Sequence, residues 1–397
     1  MSPRDHTPPG ERQGQGPKAG RDDGRGGPRA LVSWDAAAGA CPPAGAWPEG
    51  HGEDGWIATI AAVLGGVGRG EGVERGIGDD AAVLVAPPGG RLVATVDMVV
   101  EGEHFLLEGP AAATLADVGW RALAVNLSDV AAMGARPLWA LVSLGVPAHV
   151  GAPGIAALYA GMRALAAAHG VAVVGGNLAR LRERLVVDVA LIGHADRPVL
   201  RGGARAGDRL LVTGRVGAAA AGLALAAADV AAWPDLRAGW LRPRPRVAEG
   251  RVLAGLPAGS IRAACDISDG LVRDAARLCG PGVGLVLWRE ALPIPASVGA
   301  AAARLGGDAL QWALYGGEDY ELALAVAPEA VAVVQSALGG PGLAGAHVVG
   351  AFCGGPPGVA MAERAGAPSV ALTVSGWDPF ASHGGAVREG QEPAVGG

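Results

Sequence analysis

Lysine is almost missing from this 397-residue chain: the one lysine is Lys18, and everything after it manages without. That excludes a P-loop, whose lysine reaches the β- and γ-phosphates, and the strand lysine of the protein-kinase type. A composition biased toward Arg, Ala and Gly accounts for the shortage equally well, but the consequence is the same. Phosphate chemistry here has to rest on arginine, backbone amides and metal ions. Cysteine is sparse too. Cys41, Cys265, Cys279 and Cys353 are scattered, with no two-residue spacing, which argues against a zinc or redox site and for reduced thiols. No apolar run reaches the length of about 18 residues that a membrane helix needs. The charged N-terminus lacks the apolar stretch of a secretory signal, so a cytoplasmic location is expected and a membrane partner is not. The net charge is −6 and the body has no basic stripe, so nucleic acid is not an expected partner either.

What is present divides the chain. Residues 1–50 are rich in Pro, Gly, Arg and Asp without periodicity, the composition of a disordered extension, and residues 383–397 read as a disordered tail. Between them the pattern predicts an N-terminal α/β domain over 51–197 and a C-terminal α/β domain over 198–382, two domains being the ordinary number for this length. A short helix around Ile57–Leu64 ends at Gly65-Gly66. Two adjacent strands are expected on either side of Pro87-Pro88-Gly89-Gly90, a helix over 111–133, a strand over 138–146, a helix over 155–168, and strands over 171–174 and 185–192. The second half reads as a strand into Gly214, a helix over 218–228, a Pro- and Arg-rich crossing and a helix. A strand into Asp266, a helix over 268–278 and strands over 283–288 and 321–326 finish it. Asn126-Leu127-Ser128-Asp129 and Asp266-Ile267-Ser268-Asp269 form one faint repeat.

Acidic residues are few, yet several stand in Gly- and Ser-rich contexts read as strand ends: Asp79 and Asp80, Asp97, Asp129, Asp266 and Asp269, Glu318 and Asp319. Capping and turn formation explain any one of them. The repetition of the arrangement points further. Hard oxygen ligands without His or Cys suit magnesium, which keeps several waters and is shared between a few carboxylates and phosphates. Cations would then bridge an acidic site to a nucleotide.

The segments GIGDDAAVL (76–84), VDMVVEGEHF (96–105), NLSDVAAMGA (126–135), VVGGN (173–177), VTGRVG (212–217), DISDGL (266–271) and YGGEDYEL (315–322) follow one another as in thiamine-monophosphate kinases. The resemblance runs over about residues 55–380. It implies the two-domain α/β fold, with mixed sheets and flanking helices, of the superfamily that also holds aminoimidazole ribonucleotide synthetase and selenophosphate synthetase. It further implies a homodimer joined through the first domains, ATP as co-substrate, Mg2+ as cofactor and thiamine monophosphate as phosphoryl acceptor.

Position by position, the resemblance implies magnesium ligands at Asp80, Thr95, Asp97, Asp129, Asn177, Asp266 and Asp269. Nucleotide contacts fall at Gly176, Asn177, Arg201 and Ser268, and substrate contacts at His104, Glu318 and Trp377. Arg201, Asp129 and Asp266 would serve the transfer itself. An acid and an aromatic face suit the thiazolium cation of thiamine. Asn177 stands where the family has Asp and Val96 where it has Thr, two departures that resemble ligands of one metal ion. Two other readings stay open: another ATP-dependent small-molecule enzyme of the superfamily, and a nucleotide-binding homologue without catalysis. The reactive Cys and neighbouring lysine that selenophosphate synthetase would show near the start of the domain are not in the sequence.

Overall fold

The computed structural model describes residues 52–377, which belong to one compact unit. The expected extension over 1–50 and tail over 383–397 lie outside the described residues. The N-terminal half runs α1 (Gly52–Leu64), β1 (Val73–Arg75), β2 (Val83–Leu84), β3 (Arg91–Val100), α2 (Leu115–Ala132), β4 (Arg136–Val146), α3 (Gly151–His169), β5 (Ala172–Arg180) and β6 (Val186–Ala195). Its four-stranded sheet has the order β3-β6-β4-β5, antiparallel except for the β4–β5 pair that α3 connects. The two strands flanking Pro87-Pro88 are not partners: β2 pairs with β1 in a separate ribbon, and β3 pairs with β6. Prolines lack the N–H that a hairpin ladder would use, so the turn parts the strands.

The C-terminal half runs β7 (Arg209–Thr213), α4 (Ala218–Ala227), α5 (Pro234–Leu241), α6 (Val247–Ala254), β8 (Ile261–Asp266), α7 (Leu271–Ala276) and β9 (Val283–Trp288). It continues with α8 (Ala296–Leu305), α9 (Ala309–Tyr315), β10 (Leu322–Val326), α10 (Val331–Leu338), β11 (Ala346–Gly354), β12 (Val359–Ala362) and β13 (Ser369–Leu372). The sequence reading stopped at β10 and passed over α5 and α8 to α10, while β11 to β13 extend the sheet to seven strands, ordered β13-β12-β9-β11-β7-β10-β8. Gly350 and Gly354 interrupt the alternation of β11, and β12 and β13 are only four residues each, too short to show a period.

Period-2 alternation in the second sheet serves two cores. Leu211, Ala264, Leu322, Leu324 and Val326 join the core of the first half, whereas Leu210, Val212, Ala263, Cys265, Ala323 and Ala325 face the other way into a core of their own. The halves therefore share one apolar interior. The first sheet differs: Val93, Val99, Val142, Val187, Val189 and Leu191 are buried against helices, and its other face leaves Leu92, Val96 and Met98 at 54%, 59% and 50% exposure.

Helix α2 lies at the centre. Thr114 and Asp117 form a capping box: the Thr114 hydroxyl accepts from the Asp117 N–H at 3.2 Å, and the Asp117 carboxylate accepts from the Thr114 N–H at 2.9 Å. Gly119 and Gly161 let α2 and α3 touch backbone to backbone. A Cβ at Gly119 would stand 1.9 Å from the Leu158 carbonyl oxygen, and one at Gly161 equally near that of Ala116. With so little play, the side chains on its inner face are firmly placed.

Candidate active site

Two clusters of charge sit along the inner face of α2, at Arg121 and at Ser128-Asp129. Eight residues of helix separate Arg121 from Asp129, a rise of about 12 Å. At the Asp129 end, strand β3 brings Thr95 and Asp97, and the end of β8 brings Asp266. The Thr95 hydroxyl donates to Asp129 Oδ2 at 2.6 Å, and the Ser128 hydroxyl donates to Asp266 Oδ2 at 2.8 Å. The faint repeat thus meets itself in space, although one copy is helical and the other is a strand end running into a loop. Asp129 accordingly stands in the last turn of a helix, not at a strand end.

Like charges crowd this end. Burial first, then the charge of Asp129, pushes Asp97 up to about 7, with Asp188 and Asp269 adding to the shift. Asp266, only 3% exposed, also rises to about 7, through burial and Asp129, against the pull of Arg201 and the Ser128 hydrogen bond. Crowded carboxylates retain protons in the absence of a cation. Among the described residues no three His, Cys, Asp or Glu stand together as a ready-made metal cage. A pair of carboxylates with a hydroxyl nearby still fits magnesium, which completes its shell with water and phosphate oxygens. Asp97, Asp129 and Asp266, with Thr95, are the residues that would hold it.

Other predicted ligands are placed differently. Asp269 accepts from Arg277 at 2.8 Å and lies 3.7 Å from Arg273, so it has cationic partners already. Asp80 is on an exposed loop, its N–H donating to Asp79 Oδ1 at 2.9 Å. Asn177 is on β5, at the opposite sheet edge from Asp97 on β3. The register runs Asp97–Val189–Val142–Gly176, so three strand spacings, roughly 14 Å, intervene between Asp97 and the Gly176-Asn177 step. Within one chain Asn177 and Asp97 do not share an ion, because their strands lie at opposite edges of the sheet. Val96 points to the exposed sheet face, away from Thr95 and Asp97, as strand neighbours must. Gly176 has a packing reason of its own: a Cβ there would fall 1.8 Å from the Val142 carbonyl oxygen. Arg201 is exposed and acts on Asp266 only through its charge.

Around Ser268 the chain makes a dense loop. The N–H groups of Ser268, Asp269 and Gly270 all donate to Asp274 Oδ2, at 2.8 to 3.1 Å. The loop that carries Glu318 docks on it, the Glu318 N–H donating to the Ser268 carbonyl at 2.8 Å and the Tyr320 N–H to that of Ile267 at 2.9 Å. Trp377 joins the same loop, its N–H donating to the Asp269 carbonyl at 2.9 Å. Ser268, Glu318 and Trp377 are therefore neighbours. His104 faces Glu318 and Arg121, and its Nδ1 accepts from the Val100 N–H at 3.2 Å. Burial lowers its pKa and Glu318 opposes the shift, so near neutrality the ring is uncharged with its proton on Nε2.

The AIR synthase related protein N-terminal domain matches residues 78–195, and the AIR synthase related protein C-terminal domain matches residues 205–362. Thiamine-monophosphate kinase of Rhodopirellula baltica is 36% identical over 272 residues, 66% of this chain and 79% of the relative. The chain belongs to the thiamine-monophosphate kinase family. The corresponding kinase of Mycobacterium tuberculosis is 41% identical over 251 residues, 62% of this chain and 73% of its own. The structure of AaThiL complexed with AMPPCP and TMP superposes with a TM-score of 0.64 at 31% identity, covering 83% of this chain and 97% of that one. The two-domain α/β architecture with mixed sheets is the one expected of a thiamine-monophosphate kinase.

Three residues beside this family site escaped the sequence reading. Arg121 pairs with Glu318 Oε1. Tyr320, buried, feels the charges of Glu318, Arg121, Asp266 and Asp97 and so stands between the two clusters. Asp188 reaches Asp97 electrostatically. Asp188 left a signal, a lone acid in the apolar strand Val186–Ala195, but Arg121 reads as one more helical arginine until the fold shows its partner.

Proposed function

We propose that this chain transfers the γ-phosphoryl group of ATP to thiamine monophosphate, giving ADP and thiamine diphosphate. The observation that carries the reading is that Asp97 and Asp266, from separated elements, both crowd Asp129 on α2 in a chain whose body lacks lysine. The acceptor phosphate, with a second pKa near 6, is mostly deprotonated at neutral pH and needs no general base. No nucleophile–base pair is required. The protein's share is to hold two phosphates in line and to exclude water. Magnesium, when bound, supplies positive charge to the phosphates.

On this reading Asp97, Asp129 and Asp266, with Thr95, hold magnesium, and Asp80 and Asp269 border the ion-binding region. Gly176, Ser268 and Arg201 meet the nucleotide, Arg201 adding positive charge near the transferred group. Glu318, Trp377 and the uncharged His104 receive the thiamine end, with His104 donating from Nε2 instead of abstracting a proton. The exposed apolar row Leu92, Val96 and Met98 supports a homodimer formed through the first sheet. Among the described residues no helix is long and apolar enough to cross a membrane, and work in the cytosol completes the reading.

The test is ADP formation by the purified protein with ATP and magnesium, with and without thiamine monophosphate. Turnover that needs the monophosphate supports the proposal. ATP consumption indifferent to it, or none, would refute it and favour another superfamily activity or a binding protein. Sedimentation across a concentration series tests the dimer separately.

A further inference from the structure

Arg121 is a charged side chain inside a helix core, 3% exposed. Burying a guanidinium is costly unless its donors are matched. Two of them are. Nη1 donates to the Trp240 carbonyl at 2.5 Å, at the end of α5, and Nη2 is bound to Glu318 Oε1. One planar fork thus joins α2, α5 and the Glu318 loop.

The loop it grips is strained. Glu318 and Tyr320 both take left-handed backbone angles, with φ of 59° and 49°, although neither is glycine. Such conformations are costly for non-glycine residues and persist where the surroundings over-determine them. A purely structural arginine needs no strained acid as its partner, and α2 is already seated by its cap and its glycine contact with α3. The arrangement does, however, leave Glu318 28% exposed at its side chain while its carboxylate is tied at one oxygen.

We infer that Arg121 is a positioning residue for the cationic ring of the acceptor: by holding Oε1 of Glu318 it aims the rest of that carboxylate into the space beside His104. The inference rests on the functional reading above, in which Glu318 meets the thiazolium. A carboxylate gripped from behind by a buried guanidinium keeps a fixed direction, so ligand binding costs little side-chain entropy. Lysine would not substitute, since its point charge cannot reproduce the two-pronged fork.

Steady-state kinetics on the full chain test this, with ATP and thiamine monophosphate varied separately in Arg121→Lys, Arg121→Met, Glu318→Gln and the Arg121→Met/Glu318→Gln double variant. Both Arg121 variants should raise KM for thiamine monophosphate by about tenfold or more, with kcat within about threefold and KM for ATP unchanged. The double variant should be no worse than Glu318→Gln, because Arg121 acts through that residue. An unchanged KM for the monophosphate, an equal rise in KM for ATP, or additive losses in the double variant would overturn the inference. Should Arg121→Met fail to fold, Arg121→Lys, which keeps the buried charge, decides by the same split. A parent protein that shows no turnover dependent on the monophosphate sinks the functional reading. A parent that turns over, with Arg121 variants that keep its KM, sinks only this inference.

Discussion

The two ends of the inner face of α2 handle carboxylates in opposite ways. At the Arg121 end acids are matched with arginines, Glu318 with Arg121 and Asp117 with Arg242 at 2.5 Å, and beside the end of β8 Glu321 is matched with Arg246 at 2.5 Å. At the Asp129 end, Asp97 and Asp266 each crowd Asp129, and burial with its repulsion drives both of them up to about 7. Matched acids hold structure together. Crowded acids cost stability and wait for a cation, and the contrast locates the chemistry better than any single acid does.

Substitutions should therefore change stability with opposite sign at the two places. Arg246 and Glu321 are 14% and 4% exposed at their side chains, and Arg246→Met strands a buried carboxylate. Unfolding stability should fall by about 3–5 kcal/mol, seen as a lower denaturant midpoint. A loss under about 1 kcal/mol would show that the paired acids are not structural in the sense argued. Asp266→Asn is the mirror experiment. Turnover should drop by about 100-fold or more, while the melting temperature without magnesium stays level or rises, because a crowded charge has gone. A melting temperature that falls as in Arg246→Met would erase the distinction.

Acidity sharpens the same contrast. Asp97 and Asp266 have folded pKa values near 7 against 3.8 for an unperturbed carboxyl. The folded state then binds more protons than the unfolded one across that window, so these groups' contribution to stability declines as pH rises from about 4 to 7. The melting temperature of the metal-free protein relative to Asp266→Asn should decline over that interval, and added magnesium should restore more of it at pH 8 than at pH 6. Parallel pH curves for the two proteins would mean that the acids do not repel as described. The smallest effect belongs to Arg242, whose side chain is 48% exposed beside Asp117 and stacks over Trp120 at 5.8 Å. Arg242→Ala should cost only about 0–1 kcal/mol in a melt, solvent screening most of the pair.

Apolar spacing makes α2, β4 and β8 legible in the sequence, although α2 is buried nearly all round and β8 on both faces. It failed for β11, where glycine breaks the alternation, for the four-residue β12 and β13, and for the pairing of β2, where two prolines part neighbouring strands. The acids at 97, 129 and 266 were legible through their Gly- and Ser-rich settings. Their inequality with Asp269 was not: Asp269 sits beside arginines eight and four residues along, and only the folded loop turns Arg277 and Arg273 back onto it. Asn177 shows the reverse error. The resemblance grouped it with Val96 and the metal ligands around Asp97, whereas the strand order β3-β6-β4-β5 sets it and Asp97 at opposite edges.

By itself the amino-acid sequence determined that phosphate chemistry after Lys18 must do without lysine, that the acids available are few, and that the motifs come in the family's order. Those are properties of composition and succession, which survive unfolding. Tertiary structure decided which acids crowd, which are neutralised and which cation grips Glu318. Charge interactions depend on distance and burial, and neither exists until strands from both halves close around α2.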